Sequence, residues 1–72
     1  MRIKMKLEDA MVYSLVSCVH GMTTERLAEY INRNALHVRQ DGKPVSSRQI
    51  YAIVRRLPTV FAIEGGRILL VM

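Results

Sequence analysis

The residues able to do chemistry in this chain are mostly cations, and they are unevenly placed. Residues 33–72 hold seven of the eleven lysines and arginines but two of the six acidic residues, whereas residues 1–32 hold four of each. The whole formal excess of +5 therefore lies in the second part of the chain. A polyanion is the partner that such a field attracts. The densest basic stretch is Ser46-Ser47-Arg48-Gln49-Ile50-Tyr51-Ala52-Ile53-Val54-Arg55-Arg56-Leu57. Arg48 has the planar fork that grips O6 and N7 of guanine or clamps a phosphate, and Arg55 and Arg56 suit phosphates. Ser47 and Gln49 add polar groups, and the small Ala52 lets a helix approach a groove closely. Lys43 and Arg39 flank the start of the stretch, and Arg67 stands beside a glycine turn, where it can reach backbone or minor groove. The competing reading is a solvated face, with Arg67 paired to Glu64 across a hairpin.

Other chemistries lack a full set of parts. Cys18-Val19-His20 is a Cys-x-His pair without the second pair that a zinc site needs, and His37 alone does not complete one. Cys18 falls on an apolar stripe and reads as a core thiol. Gly65-Gly66 lacks the Lys-Ser/Thr of a phosphate loop. No two carboxylates are spaced for general acid–base work, and Tyr13, Tyr30 and Tyr51 read as core-edge residues rather than a stacking platform. The expectation is a non-enzymatic protein without cofactor or metal. A single cysteine excludes an intramolecular disulfide framework and fits a reducing cytoplasm. Glu8 and Asp9 interrupt the start, so no secretory signal is expected, and no run approaches the roughly 20 apolar residues of a membrane span. No membrane partner is expected.

The elements that must position the cations follow from capping and period. Residues 1–6 alternate, with Arg2, Lys4 and Lys6 opposite Ile3 and Met5, as in an edge strand or an extended basic arm. Leu7 to Val19 reads as a first helix. Leu7, Met11, Leu15 and Cys18 make its stripe, widened by Val12, Val16 and Val19, so the helix is expected to be central and Gly21 to close it. Lys6 offers no side-chain cap. Thr23 caps a second helix that runs to about Asn32, with Leu27, Tyr30 and Ile31 inward. Leu36 and Val38 alternate with His37 and Arg39, which predicts one brief strand able to pair with a later hairpin. Asp41-Gly42-Lys43-Pro44 is a turn.

The basic stretch itself reads as a third helix. Ser46 is its N-cap and Gln49 completes a capping box. Pro58 ends it, and Ile50, Ile53, Val54 and Leu57 form its buried stripe. After Pro58 the period becomes two. Val60–Glu64 and Arg67–Val71 flank Gly65-Gly66, the signature of a tight hairpin with Glu64 opposite Arg67. Phe61, Ile63, Ile68 and Leu70 are expected on the core face. Val60, Ala62, Leu69 and Val71 share the other face, which is too apolar to stand in water, so a cover is expected from residues 1–6 or from a second copy of the chain.

The order of elements predicts an α+β winged helix spanning residues 1–72 as one domain. Its parts are an arm or edge strand over 1–6, a three-helix helix-turn-helix core over 7–57, and a C-terminal β-hairpin wing over 59–72. His20-Gly21-Met22-Thr23 with Leu27-Ala28 and Tyr30-Ile31 resembles the start of the second helix in HARE-type winged helices, a family that includes the N-terminal domain of the bacterial RNA polymerase delta subunit. Gly42-Lys43-Pro44-Val45, Ile50-Tyr51 and Arg56-Leu57-Pro58-Thr59-Val60-Phe61 resemble its third-helix region. The likeness covers residues 6 to 71. Three positions depart from the pattern: Met22 where proline is usual, Lys6 where a Thr-type cap is usual, and aliphatic Ile68 and Leu70 where the wing commonly has an aromatic.

The resemblance implies a DNA-binding, transcription-associated adaptor in the cytoplasm or at the bacterial nucleoid. Double-stranded DNA and the transcription machinery are its expected partners. A non-catalytic protein-interaction or homodimer module, using Val60, Ala62, Leu69 and Val71, is the alternative. Contacts to about four phosphates would lower affinity roughly 10²-fold between 50 and 200 mM salt.

Overall fold

A computed structural model describes residues 5–18, 20–39 and 41–71. Three helices, α1 (Leu7–Val16), α2 (Thr24–Arg33) and α3 (Ser47–Arg56), precede an antiparallel hairpin of β1 (Phe61–Glu64) and β2 (Arg67–Leu70). This α+β layout is consistent with a winged-helix arrangement. The expected strand over residues 1–6 lies mostly outside the described residues.

Helix starts follow local chemistry. The Thr23 hydroxyl accepts from the Arg26 N–H at 3.2 Å. The Ser46 hydroxyl accepts from the Gln49 N–H at 3.4 Å, and Gln49 Oε1 accepts from the Ser46 N–H at 3.1 Å, so both halves of the capping box are present. Such a cap typically contributes about 1 kcal/mol. Lys6 stands at the N-cap of α1 and makes no side-chain cap bond. At the far end of α3, Leu57 has φ −122° and ψ 64°, outside the helical region as a residue before proline must be. The Leu57 carbonyl then accepts from both Val60 and Phe61 at 3.0 Å, turning the chain into β1.

The hairpin register matches the glycine turn: Glu64 faces Arg67, Ile63 faces Ile68, Ala62 faces Leu69 and Phe61 faces Leu70. Gly65 and Gly66 have φ of +58° and +77°, the backbone that a two-residue primed turn requires.

One buried cluster joins all five elements. Met11, Leu27, Ile31, Ile50, Phe61 and Ile68 are its largest fully buried apolar side chains, with Ala10, Leu15, Ala28, Val45 and Val54 around them. Burying a side chain of this size is worth about 1.5–3 kcal/mol. Ser14 is buried among them and satisfied, its hydroxyl donating to the Ala10 carbonyl at 2.7 Å.

Four expectations are corrected. First, α1 ends at Val16 rather than Val19, and Gly21 lies beyond its cap residue Ser17. Its outer side is exposed, Tyr13 at 56% and Val16 at 64%, so this helix is not buried all round. Val19 lies outside the described residues.

Second, no strand forms over Leu36 to Arg39. Ala35 takes the left-handed conformation (φ 50°), the Ala35 N–H donates to Asn32, and the Leu36 N–H donates to Ile31 at 3.1 Å. These bonds are a Schellman cap on α2, and Leu36 is its apolar closing residue rather than the start of a strand. Third, the strand-like partner of the hairpin is Met22. Its N–H donates to the Ile68 carbonyl at 3.2 Å, and its carbonyl accepts from the Ile68 N–H at 2.7 Å. Gly21 (φ +76°) permits this, since a Cβ there would lie 2.5 Å from the Ile68 carbonyl oxygen.

Fourth, Ile63 is 45% exposed rather than part of the core. It stands one residue before the end of β1, beside the glycine turn. The opposite face is partly covered by the chain itself: Leu69 is half-buried, with its Cδ2 only 2.6 Å from where a Gly21 side chain would begin. Ala62 is also half-buried, Val60 packs against the core cluster instead of standing on the outer face expected for it, and Val71 is the exposed member at 49%.

Candidate nucleic-acid interface

The orientation of α3 is set from both ends. Before the helix, Asn32 of α2 clamps the backbone of Val45: its Nδ2 donates to the Val45 carbonyl at 2.9 Å, and its Oδ1 accepts from the Val45 N–H at 2.8 Å. A side-chain amide thus does the work of a strand partner and ties the approach of α3 to the end of α2. Two such bonds contribute about 1–3 kcal/mol together. At the other end, Arg56 Nη2 reaches Glu8 Oε2 on the first turn of α1 at 3.1 Å. Between these ties, Ile50 and Val54 are buried and Ile53 is packed against them.

Burial on one side decides what the other side presents. Arg48, Ala52 and Arg55 stand at i, i+4 and i+7 and are all exposed. Seven residues at 1.5 Å rise put the two arginines about 10 Å apart along the axis, within the roughly 12 Å width of a major groove. Tyr51 lies on this face as well, 46% exposed. The Arg55 guanidinium carbon is 5.9 Å from the centroid of its ring.

This exposure corrects the expectation of a core-edge Tyr51. Its spacing, three residues after Arg48 and four before Arg55, was the available signal that it belongs to the basic face.

The structure sorts the remaining sequence-derived residues. Ser47 is half-buried and lines a shallow groove between α2 and α3 with Pro44 and Val45. Gln49 is spent in the capping box, and its Oε1 also meets Arg39 Nη1 at 3.4 Å. Arg39 is in turn paired with Asp41 at 2.6 Å. Lys43 is exposed three residues before the cap Ser46, on a turn where its N–H donates to the Asp41 carboxylate at 3.0 Å. Among the described residues, Lys43, Arg48 and Arg55 have no carboxylate at ion-pair distance. Arg56 is exposed but shares its edge with Glu8.

Arg67 is placed elsewhere. It lines a groove of about 910 Å³ with His20, Thr23, Arg26 and Tyr30, and no α3 residue borders that groove. Glu25 and Glu29 border it too, so its charge is mixed. The structure does not bring Arg67 together with the cations of α3, and it shows no ion pair between Arg67 and Glu64 within the described residues.

Cys18 is half-buried just past α1, its thiol donating to the Gly21 carbonyl at 3.3 Å. Among the described residues, no three His, Cys, Asp or Glu side chains come together in a way that would hold a metal. No described helix is long and apolar enough to cross a membrane.

No protein-family model matches the chain, and no curated protein or solved structure does.

Proposed function

We propose that the chain is a small winged-helix module that binds double-stranded DNA without catalysis, with α3 in the major groove. The observation that carries this reading is the exposed face of α3. Arg48 and Arg55 stand there about two turns apart, with Ala52 and Tyr51 between them and no carboxylate paired to either among the described residues. Lys43 adds a third available cation at the start of the helix. On this reading the hairpin serves as the wing, although its Arg67 borders the groove beside α2. Sequence resemblance to HARE-type winged helices supports a transcription-associated role, in the cytoplasm or at the nucleoid.

Three available cations set a modest electrostatic scale. The logarithmic salt slope is about −2.7, and affinity falls roughly 40-fold between 50 and 200 mM salt. Non-specific binding is expected at about 10⁻⁴ to 10⁻⁶ M. A dimer would double the number of helices on the duplex and add specificity.

Mapping amide shifts of the ¹⁵N-labelled protein against a mixed-sequence duplex tests the reading. Salt-sensitive shifts should cluster at Lys43 and over Ser47–Arg56. Shifts confined to the Arg26–Arg67 groove, or none at low salt, would refute it. A second reading, a protein-interaction module that uses the hairpin, draws on the exposure of Ile63 and Val71. In that case Val71→Glu would abolish partner capture or self-association and leave duplex binding unchanged. Leu69→Glu is the poorer test, because Leu69 packs against Gly21.

A further inference from the structure

Arg55 and Arg56 are neighbours in sequence, and the fold holds them in different ways. Arg56 is held by its edge, with a guanidinium N–H committed to Glu8 at 3.1 Å. Arg55 is held by its face, its guanidinium carbon 5.9 Å from the centroid of the Tyr51 ring. A cation over an aromatic face is attracted to the ring quadrupole and uses none of its N–H donors. The Arg55 fork therefore keeps all five donors for a ligand. Tyr51 is 46% exposed, on a side of α3 otherwise made of Arg48, Ala52 and Arg55. An aromatic that served only the core would turn that surface inward, as Phe61 does at 2% exposure.

We propose that Tyr51 is a positioning residue for Arg55: its ring presents the guanidinium, edge outward, to a phosphate or a guanine. This inference rests on the nucleic-acid reading of α3. An arginine that is already restrained loses less rotamer freedom when it binds, so the ring raises affinity through Arg55 rather than through a contact of its own. The hydroxyl has no part in this, and phenylalanine replaces tyrosine without loss.

The test compares Tyr51→Phe, Tyr51→Leu, Arg55→Ala and the double variant Tyr51→Leu/Arg55→Ala. Binding to a labelled mixed-sequence duplex is followed by fluorescence anisotropy at 50 mM salt, and the Arg55 δ-methylene protons are followed by NMR in the free protein. Tyr51→Phe should bind as the wild type does. Tyr51→Leu should bind about 2- to 5-fold more weakly, the range of an exposed cation–ring contact, and should have no effect once Arg55 is alanine. The δ-methylene protons should be shifted upfield by the ring in the wild type and in Tyr51→Phe, and not in Tyr51→Leu.

Equal losses from Tyr51→Leu with and without Arg55 would overturn the proposal, as would an unshifted methylene in the wild type. If the wild type binds duplex and Tyr51→Leu binds equally well, this inference fails alone. If the wild type does not bind duplex at low salt, the reading of α3 fails and takes this inference with it.

Discussion

Replacing Gly21 by alanine puts a methyl carbon 2.5 Å from the Ile68 carbonyl oxygen and 2.6 Å from Leu69 Cδ2. The leucine can move, but the carbonyl cannot, because it accepts the Met22 N–H. The backbone at φ +76° adds a second cost. An L-residue in the left-handed region costs about 1–2 kcal/mol. Alanine recovers about 0.4–1 kcal/mol by stiffening the unfolded chain. Losing the two Met22–Ile68 bonds costs about 0.5–1.5 kcal/mol each. The net destabilisation is about 1–5 kcal/mol, centred near 3, against a total stability of roughly 4–11 kcal/mol for a chain of this length.

Gly66→Ala is the matched control. Its φ of +77° is nearly the same, and among the described residues no atom lies within 4 Å of its added Cβ. It should cost about 1 kcal/mol or less, the backbone part alone. Urea unfolding followed by far-UV circular dichroism measures both, with thermal melts in parallel. A gap of about 2 kcal/mol between the two variants corresponds to about 8–16 °C in Tm. If Gly21→Ala is no less stable than Gly66→Ala, the docking of Met22 on β2 does not hold the hairpin to the helices, and the reasoning fails.

Two further perturbations test other parts of the structure. Ala35 closes α2 at φ 50°, where glycine is the usual residue, so Ala35→Gly should raise stability by about 0.5–1 kcal/mol in the same unfolding assay; a loss of stability would contradict the Schellman cap. Glu8 occupies an edge of Arg56 at 3.1 Å, so Glu8→Gln should release a fourth cation and steepen the salt slope of duplex binding from about −2.7 to about −3.6. An unchanged slope would mean that Arg56 points away from the duplex or engages it despite Glu8.

What was legible in the sequence was whatever a few neighbouring residues decide. Ser46 and Gln49 placed the start of α3, Pro58 its end, and Gly65-Gly66 the hairpin register. Each of these contacts spans four residues or fewer. The stripe of Ile50, Ile53, Val54 and Leu57 correctly put Arg48, Ala52 and Arg55 outside. Contacts between distant residues were not legible. Nothing in Met22 announces that it will pair with Ile68, and nothing in Asn32 announces that its side chain will hold the backbone of Val45. Alternation misled at Leu36–Arg39, since a strand needs a partner and a Schellman cap uses the same apolar residue. The face expected for Arg67 was likewise a matter of tertiary placement, because the hairpin pairs with the turn before α2 and carries Arg67 to that side. Glu8, 48 residues from Arg56, removed part of a cation that sequence alone had counted in full.

The measurement that bears most directly on the central claim is the salt dependence of duplex binding by the wild type and by Arg48→Ala/Arg55→Ala. Both substitutions are on the exposed face of α3, so the variant should melt as the wild type does. The wild type should show a logarithmic slope near −2.7, and the double variant, left with Lys43, a slope near −0.9. Equal slopes, or duplex binding that survives the double substitution undiminished, would contradict the assignment of α3 as the nucleic-acid face.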